Sequence, residues 1–199
     1  MSATPDPIHA AIAAEIGAFP PPDVPLRSHF RERTLRRGEY WLREGEVCRK
    51  IGFLLGGTLR LYVDNNGNSQ TRWAFFPNTF FTSLQSFQQQ IAADENIVAI
   101  EAVKLLEIDR ELWHSLYEQH AFLRQFWKRN MDKLAACYED RVNSLLLPSA
   151  KGRYRYTLQR YPDFVLRLPN KYVAEMLNMA PRHLSRVRRE IAAEGQGGI

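Results

Sequence analysis

Arg182, Ser185, Arg186 and Arg189 recur at helical spacing and gather three guanidinium groups and a hydroxyl on one side of a helix. Such groups suit base edges and phosphate oxygens. On the opposite side Leu184, Val187 and Ile191 fall at steps of three and four, the spacing of a face that packs. Pro181 sits at the first helical position, where the missing N–H is not needed. Upstream, Pro169 and Asn170 open a shorter helix carrying Val173, Ala174 and Leu177, and Asn178-Met179-Ala180 forms the turn between the two. Small Ala174 allows close approach, and Asn178 tolerates the left-handed conformation a tight turn wants. Residues 168–191 therefore read as a helix-turn-helix. Pro181, Arg182 and Ser185 stand at the end expected to enter a major groove, and Arg186 lies one turn on. Arg189 is placed for phosphate, as is His183 unless it only faces solvent. Lys171 flanks the second helix as a further contact, and Arg188 points toward the packed side.

Charge supports this placement. The 199-residue chain carries a net charge of +5. From Pro148 onward ten Lys and Arg face only Asp163, Glu175, Glu190 and Glu194, whereas the preceding residues hold 17 basic and 18 acidic groups. The excess thus sits with the motif, the distribution expected of a nucleic-acid footprint.

Other chemistries find little support. The histidines are His9, His29, His114, His120 and His183, so none falls between Arg33 and Asp109, where a cupin-like barrel would need its metal ligands. No G-x-S-x-G turn is present. Cys48 and Cys137 lack partner spacing and read as reduced structural thiols. No catalytic residue, metal or cofactor is expected. The first residues lack a basic stretch followed by an apolar run, and no segment is long enough to cross a bilayer, so a cytoplasmic chain without a membrane partner is expected.

The elements that must position the motif divide the chain in two. Residues 1–147 begin with a short helix, His9 to Ala18, stopped at Phe19-Pro20-Pro21-Pro22. From Arg33 to Asp109 short runs rich in β-branched and aromatic residues alternate with Gly38, Gly45, Gly56-Gly57 and Asn65-Asn66-Gly67-Asn68, the texture of a sandwich or jelly-roll barrel. Ile97 to Ile108 supplies a further strand pair. From about 111 to 147 the chain is expected to be one long helix. Its stripe of Trp127, Met131, Leu134, Tyr138, Val142 and Leu145 either packs on the barrel or forms the seam of a homodimer, which its length favours. Pro148 ends it. Residues 148–199 form the basic domain, with a helix from Ala150 to Arg160 and a short strand at Phe164-Val165-Leu166-Arg167. The fold class is α+β: an N-terminal β-roll, a dimerisation helix and a C-terminal helix-turn-helix without room for a long C-terminal wing.

This order of elements resembles the cyclic-nucleotide-receptor and FNR (Crp/Fnr) family of bacterial transcription regulators. The likeness runs from about Leu35 to Glu190. It rests on Arg37-Gly38-Glu39-Tyr40, Arg43-Glu44-Gly45-Glu46, Gly52-Phe53-Leu54-Leu55-Gly56-Gly57 and Phe76-Pro77-Asn78-Thr79-Phe80-Phe81, and on 171–181 and 184–188 at the C-terminal end. The resemblance implies a homodimer on a palindromic DNA operator, admits RNA polymerase as a further partner, and implies a small-molecule effector in the roll. Departures bear on the effector. Where that family's cyclic-nucleotide binders carry Gly-Glu, this chain has Thr82-Ser83-Leu84. Where they carry Arg with Ser or Thr, it has Gln90-Ile91-Ala92-Ala93-Asp94-Glu95. No Lys or Arg occurs between Trp73 and Val103, so a cyclic phosphate would meet no cation there. Cyclic AMP is not expected. Thr82, Ser83, Leu84, Gln85, Ala92 and Ala93 are the candidate effector contacts, and Gln85, Gln88, Gln89 and Gln90 line either a polar pocket or a solvated loop. Ala180 replaces the family's Thr or Ser before the recognition-helix Pro, removing a cap worth about 1 kcal/mol. The rival reading keeps the fold as a dimeric ligand sensor with degenerate DNA binding.

Overall fold

The short β-branched and aromatic runs close eight antiparallel strands between residues 31 and 109: β1 (Arg31–Leu35), β2 (Tyr40–Leu42), β3 (Lys50–Gly56), β4 (Leu59–Asn65), β5 (Asn68–Phe75), β6 (Phe80–Phe81), β7 (Asn96–Ala99) and β8 (Val103–Asp109). They form two four-stranded sheets, ordered β1-β8-β3-β6 and β2-β7-β4-β5. This computed structural model describes residues 6–18, 20, 21 and 24–196. The expected termination at Phe19 and Pro22 and the reading of residues 1–5 lie outside them.

Two local features explain the register. At the β4–β5 turn Asn66 (φ 54°) and Gly67 (φ 83°) both take positive φ, the backbone a tight two-residue hairpin requires, and Asp64 Oδ1 accepts from the Gly67 N–H at 2.7 Å. On β3, Gly52 pairs with Phe81 of β6, and a Cβ there would lie 2.2 Å from the Phe81 ring. Glycine is needed at 52 so that this ring can cover the strand. Phe53, Leu54, Leu59, Ile97, Leu105 and Leu106 are all fully buried, and alternation along β3 and β8 turns Phe53 and Leu106 to the face opposite Leu54 and Leu105, where Phe53 meets Phe80. The segment 97–108 does yield two strands, but they are not partners: β7 pairs with β2 and β4, and β8 with β1 and β3. The chain crosses from one sheet to the other at the intervening turn, which proximity in sequence conceals.

The helices of this half are α1 (Pro7–Ile16), α2 (Leu84–Gln89), α3 (Arg110–Gln119) and the first part of α4 (Ala121–Leu146), with a short 3-10 turn at Leu26–His29. The side chain of Asp6 caps α1 and Gly17 (φ 73°) ends it, so it stops slightly before the expected boundary. The single long helix expected from 111 to 147 is two. His120 is extended (φ −119°, ψ 113°), which breaks the ladder between α3 and α4. The break lets Trp113 and Leu116 of α3 and Leu123 and Phe126 of α4 all be buried, with the Phe126 ring 4.9 Å from Phe80. No Gly or Pro marks it; burial imposes the bend.

A buried carboxylate ties β8 to its neighbours. Glu107 accepts from Trp41 Nε1 at 3.2 Å and Lys50 Nζ at 2.9 Å, with Arg33 Nη1 at 3.5 Å. Burial pushes its pKa up, but the hydrogen bond and charge of Lys50, the charge of Arg33 and the Trp41 bond together hold it below the ordinary 4.5. A depressed carboxylate stabilises the fold fully above its unfolded-state pKa, and that contribution disappears as pH falls through the lower folded value. Stability measured by denaturant titration should therefore drop on acidification below about pH 4.5. Glu107→Gln should cost about 1–3 kcal/mol at neutral pH and flatten the acid limb. An unchanged acid limb in that variant would remove Glu107 from the account.

The chain divides into two compact units, one of residues 1–63 and 74–133, the other of residues 64–73 and 134–199. The second unit contains the tip of the β4–β5 hairpin, the last turns of α4, and α5 (Ala150–Arg160), α6 (Pro162–Arg167), α7 (Asn170–Met176) and α8 (Pro181–Gln196). Phe164 to Arg167, expected as a strand, belongs to helix α6. Pro162 starts it at a position where its ring favours a helix, and one helical turn buries both Phe164 and Val165. No strand follows α8 among the described residues. No described helix is long and apolar enough to cross a membrane.

Candidate nucleic-acid interface

The second unit is built around a small apolar centre to which each helix contributes. Tyr154 and Thr157 come from α5, Phe164 and Val165 from α6, Val173, Ala174 and Met176 from α7, and Leu184 and Val187 from α8; all are buried. Ser149 caps α5 by accepting from the Gly152 N–H at 3.0 Å. Between α7 and α8 the chain turns at Asn178, whose φ is 49°, as its residue type suggests. The Met179 N–H reaches back to Ala174 O at 3.0 Å, and those of His183 and Leu184 both reach Ala180 O. That geometry is a helix-turn-helix with fully buried Ala174 and Leu177 at its inner corner.

Four groups of contacts fix this frame, most of them joining residues too distant along the chain for a sequence pattern to reveal. Arg153 donates from Nε to Leu177 O and from Nη1 to Leu147 O, both at 3.0 Å. Arg188 donates from Nη2 to Val165 O at 2.7 Å and from Nη1 to Asn170 Oδ1, consistent with its expected place on the packed side. On the hairpin tip Thr71 donates its hydroxyl to Glu175 Oε2 at 2.5 Å, Gln70 donates to Glu175 O, and the Trp73 ring lies 4.6 Å from Phe164. Asp140 on the last turns of α4 accepts from Tyr161 OH at 2.8 Å, Tyr156 OH at 2.9 Å and Arg160 Nη1 at 2.7 Å. These bonds, that of Tyr161 foremost, hold its carboxyl below the usual range.

The remaining charge is distributed unevenly. Lys151 and Arg155 both pair with Glu194, Arg160 with Asp140, and Arg167 with Asp163 at 3.7 Å. By contrast Lys171, Arg182 and Arg189 are exposed and form no ion pair among the described residues. Arg186 is exposed too, with its Nε 3.7 Å from Glu190 Oε1 one turn on. Pro181 and Ser185 share that exposed side, the Ser185 hydroxyl bonding back to Pro181 O at 3.1 Å, and His183 is half-buried at its edge. Every residue expected to meet DNA therefore lies on α8, except Lys171 in the first turn of α7, and most are exposed.

In the first unit the effector candidates are largely spent on their own backbone. Thr82 Oγ1 donates to Lys50 O at 2.9 Å, Ser83 is buried before α2, and Ala93 exchanges backbone hydrogen bonds with Glu46 and Gly45. Ala92 bridges to Val47, and Leu84 and Gln85 begin α2, the latter exposed. Gln90 donates to Cys48 O and Phe87 O, while Gln88 and Gln89 face solvent. The glutamine run is thus a short helix and its cap. The roll does bury a cation outside residues 73–103: Arg60 of β4, stacked 4.1 Å from the Tyr62 ring. The six stripe residues of α4 separate as well. Trp127 lies 5.7 Å from Trp113, and Met131 Sδ sits 4.0 Å from Gln88 Nε2. Leu134 is half-buried, whereas Tyr138, Val142 and Leu145 are exposed. Both cysteines are free, and no His, Cys, Asp or Glu cluster among the described residues could hold a metal ion.

Residues 32–120 match the family model of the cyclic nucleotide-binding domain. Among solved structures, FixK2 from Bradyrhizobium japonicum superimposes with a TM-score of 0.70 at 17% identity, over 83% of this chain and 86% of that one. A CooA mutant from Carboxydothermus hydrogenoformans gives 0.70 at 13%, over 88% and 82%. A protein from Eubacterium rectale described as a transcriptional regulator of the Crp/Fnr family gives 0.63 at 15%, over 84% and 81%. At these identities the likeness establishes a shared fold. No curated protein sequence matches the chain.

Proposed function

We propose that this chain, with its match to the cyclic nucleotide-binding domain and the fold of a Crp/Fnr regulator, is a homodimeric, sequence-specific DNA-binding transcription regulator. The observation that carries the reading is the exposed face of α8. Lys151, Arg155 and Arg160 of the same unit pair with carboxylates and Arg153 is tied to carbonyls, while Arg182 and Arg189 of α8 and Lys171 in the first turn of α7 are exposed and without ion pairs among the described residues. Residues 148–199 act as the reader and residues 1–147 as the effector and dimerisation part. Arg182, Ser185 and Arg186 meet base edges with Pro181 close to the groove, and Lys171, His183 and Arg189 meet phosphate. The likeness in fold to transcription regulators makes RNA polymerase a fitting further partner.

The roll senses something other than cyclic AMP. Between Trp73 and Val103 it offers no cation, and the polar atoms of Thr82 and Gln90 already hold backbone carbonyls. A sensor that no longer binds DNA remains the competing reading, and salt separates the two. If Lys171 and Arg189 of both protomers each neutralise a phosphate, log K for duplex DNA should fall against log salt with a slope of roughly −4. Fluorescence anisotropy at several salt concentrations measures it. A slope near zero favours the sensor.

A further inference from the structure

Successive turns of α3 bring Arg110, Trp113, His114 and Tyr117 to one cavity of about 180 Å³, completed by Phe87 and Gln88 of α2 and Trp127 of α4. Its walls are aromatic. The Trp113 and Trp127 rings are 5.7 Å apart, Phe87 lies 6.2 Å from Trp127, and the His114 ring runs parallel to Phe87 at 6.1 Å. Besides the Gln88 amide and the Tyr117 hydroxyl, two nitrogen-bearing groups break this apolar lining. His114 Nε2 is buried and has no hydrogen-bond partner among the described residues, an arrangement native interiors rarely leave uncompensated. Arg110 spends only Nε, on Phe87 O at 3.1 Å, so its two terminal nitrogens bond no described residue.

Size and chemistry together narrow the occupant. Cavities of about 150 Å³ hold a benzene ring, so this one takes a single ring with a small substituent and excludes a nucleotide. A planar carboxylate matches the guanidinium fork, and a charge-assisted bond there is the stronger kind. An inorganic anion would leave the aromatic walls unused, and a neutral ring would leave Arg110 and His114 unanswered. We infer that the cavity between α2, α3 and α4 binds a single-ring aromatic carboxylate, its ring held against Trp113 and Trp127 and its carboxylate by Arg110 and His114. None of Thr82, Ser83, Leu84, Gln85, Ala92 or Ala93 takes part. The inference concerns the first unit alone and does not rest on DNA binding.

The test uses the whole protein without DNA, with sodium benzoate as the probe. Trp113 and Trp127 are two of the four tryptophans, so occupancy should change intrinsic fluorescence saturably, and 4-fluorobenzoate should show a saturable 19F shift. Benzyl alcohol, which keeps the ring without the charge, and cyclohexanecarboxylate, which keeps the charge without the aromatic face, should both bind more weakly. Arg110→Met should weaken benzoate about tenfold or more while leaving benzyl alcohol unchanged. Because that variant also loses the bond to Phe87 O, His114→Phe serves as the second. It preserves the ring volume, removes the nitrogen, and should also weaken benzoate. A response to benzoate that stays linear up to its solubility limit overturns the assignment, as does equal benzoate affinity in wild type and both folded variants.

Discussion

Arg186→Ala is expected to relax base preference at one position of each half-site while leaving overall DNA affinity recognisable. Arg186 stands one turn beyond Arg182 on the exposed side of α8, where a guanidinium can bond a guanine edge in bidentate fashion. Its contact with Glu190 at 3.7 Å involves two well-exposed side chains, so exchanging it for a base costs little. Losing the base contact should reduce discrimination by about 1–3 kcal/mol, roughly 5- to 150-fold. Arg189→Ala should behave differently. That residue lies farther along the helix, so its loss should weaken all sequences alike and make the salt slope shallower by about two for a dimer. Equilibrium competition between an operator duplex and its single-base variants distinguishes the two outcomes. If Arg186→Ala keeps the parental ranking of duplexes, its assigned role fails.

How far the sequence reveals this site follows from where each residue's partners lie. The helix-turn-helix was legible because its signals are local: Pro181 at a helix start, Asn178 at a left-handed turn (φ 49°), and Leu184 and Val187 at helical spacing. The tight turn at Asn66-Gly67 was legible for the same reason. The sheet order was not, since β7 and β8 adjoin in sequence yet pair in different sheets, a matter of global closure. The break at His120 carries no Gly or Pro, and the burial of Trp113 and Phe126 that imposes it is a tertiary effect. Phe164 to Arg167 misled because four residues cannot distinguish a strand from one turn of helix by periodicity. The frame bonds of Thr71 to Glu175 and of Arg153 to Leu177 O join residues too far apart in sequence for any pattern to find.

The second large effect concerns assembly. Val142 and Leu145 are 56% and 42% exposed, and neighbouring Leu146 is 75% exposed, on a helix that would otherwise hide such residues. Trp127 and Met131 already contact α3 and α2, so the proposed seam falls on the later turns, at Leu134, Tyr138, Val142 and Leu145. Glu at both 142 and 145 would place four like charges across a two-fold seam, an arrangement a coiled coil does not tolerate. Val142→Glu combined with Leu145→Glu should therefore halve the sedimenting mass with unchanged helical content, because both positions are exposed in the single chain. Operator affinity should fall by roughly 10²–10⁴ as the second half-site contact ceases to be intramolecular. An unchanged mass in the double variant would place the dimer contact elsewhere or deny it.

The central claim, that α8 reads duplex sequence as one of a symmetric pair, is tested most directly by selecting bound duplexes from a random pool with the wild-type protein. The account predicts enrichment of a two-fold symmetric consensus, its half-sites centred about 10 base pairs or a multiple of that apart. Recovery of the random pool without enrichment, or of a single unsymmetric half-site, would contradict it.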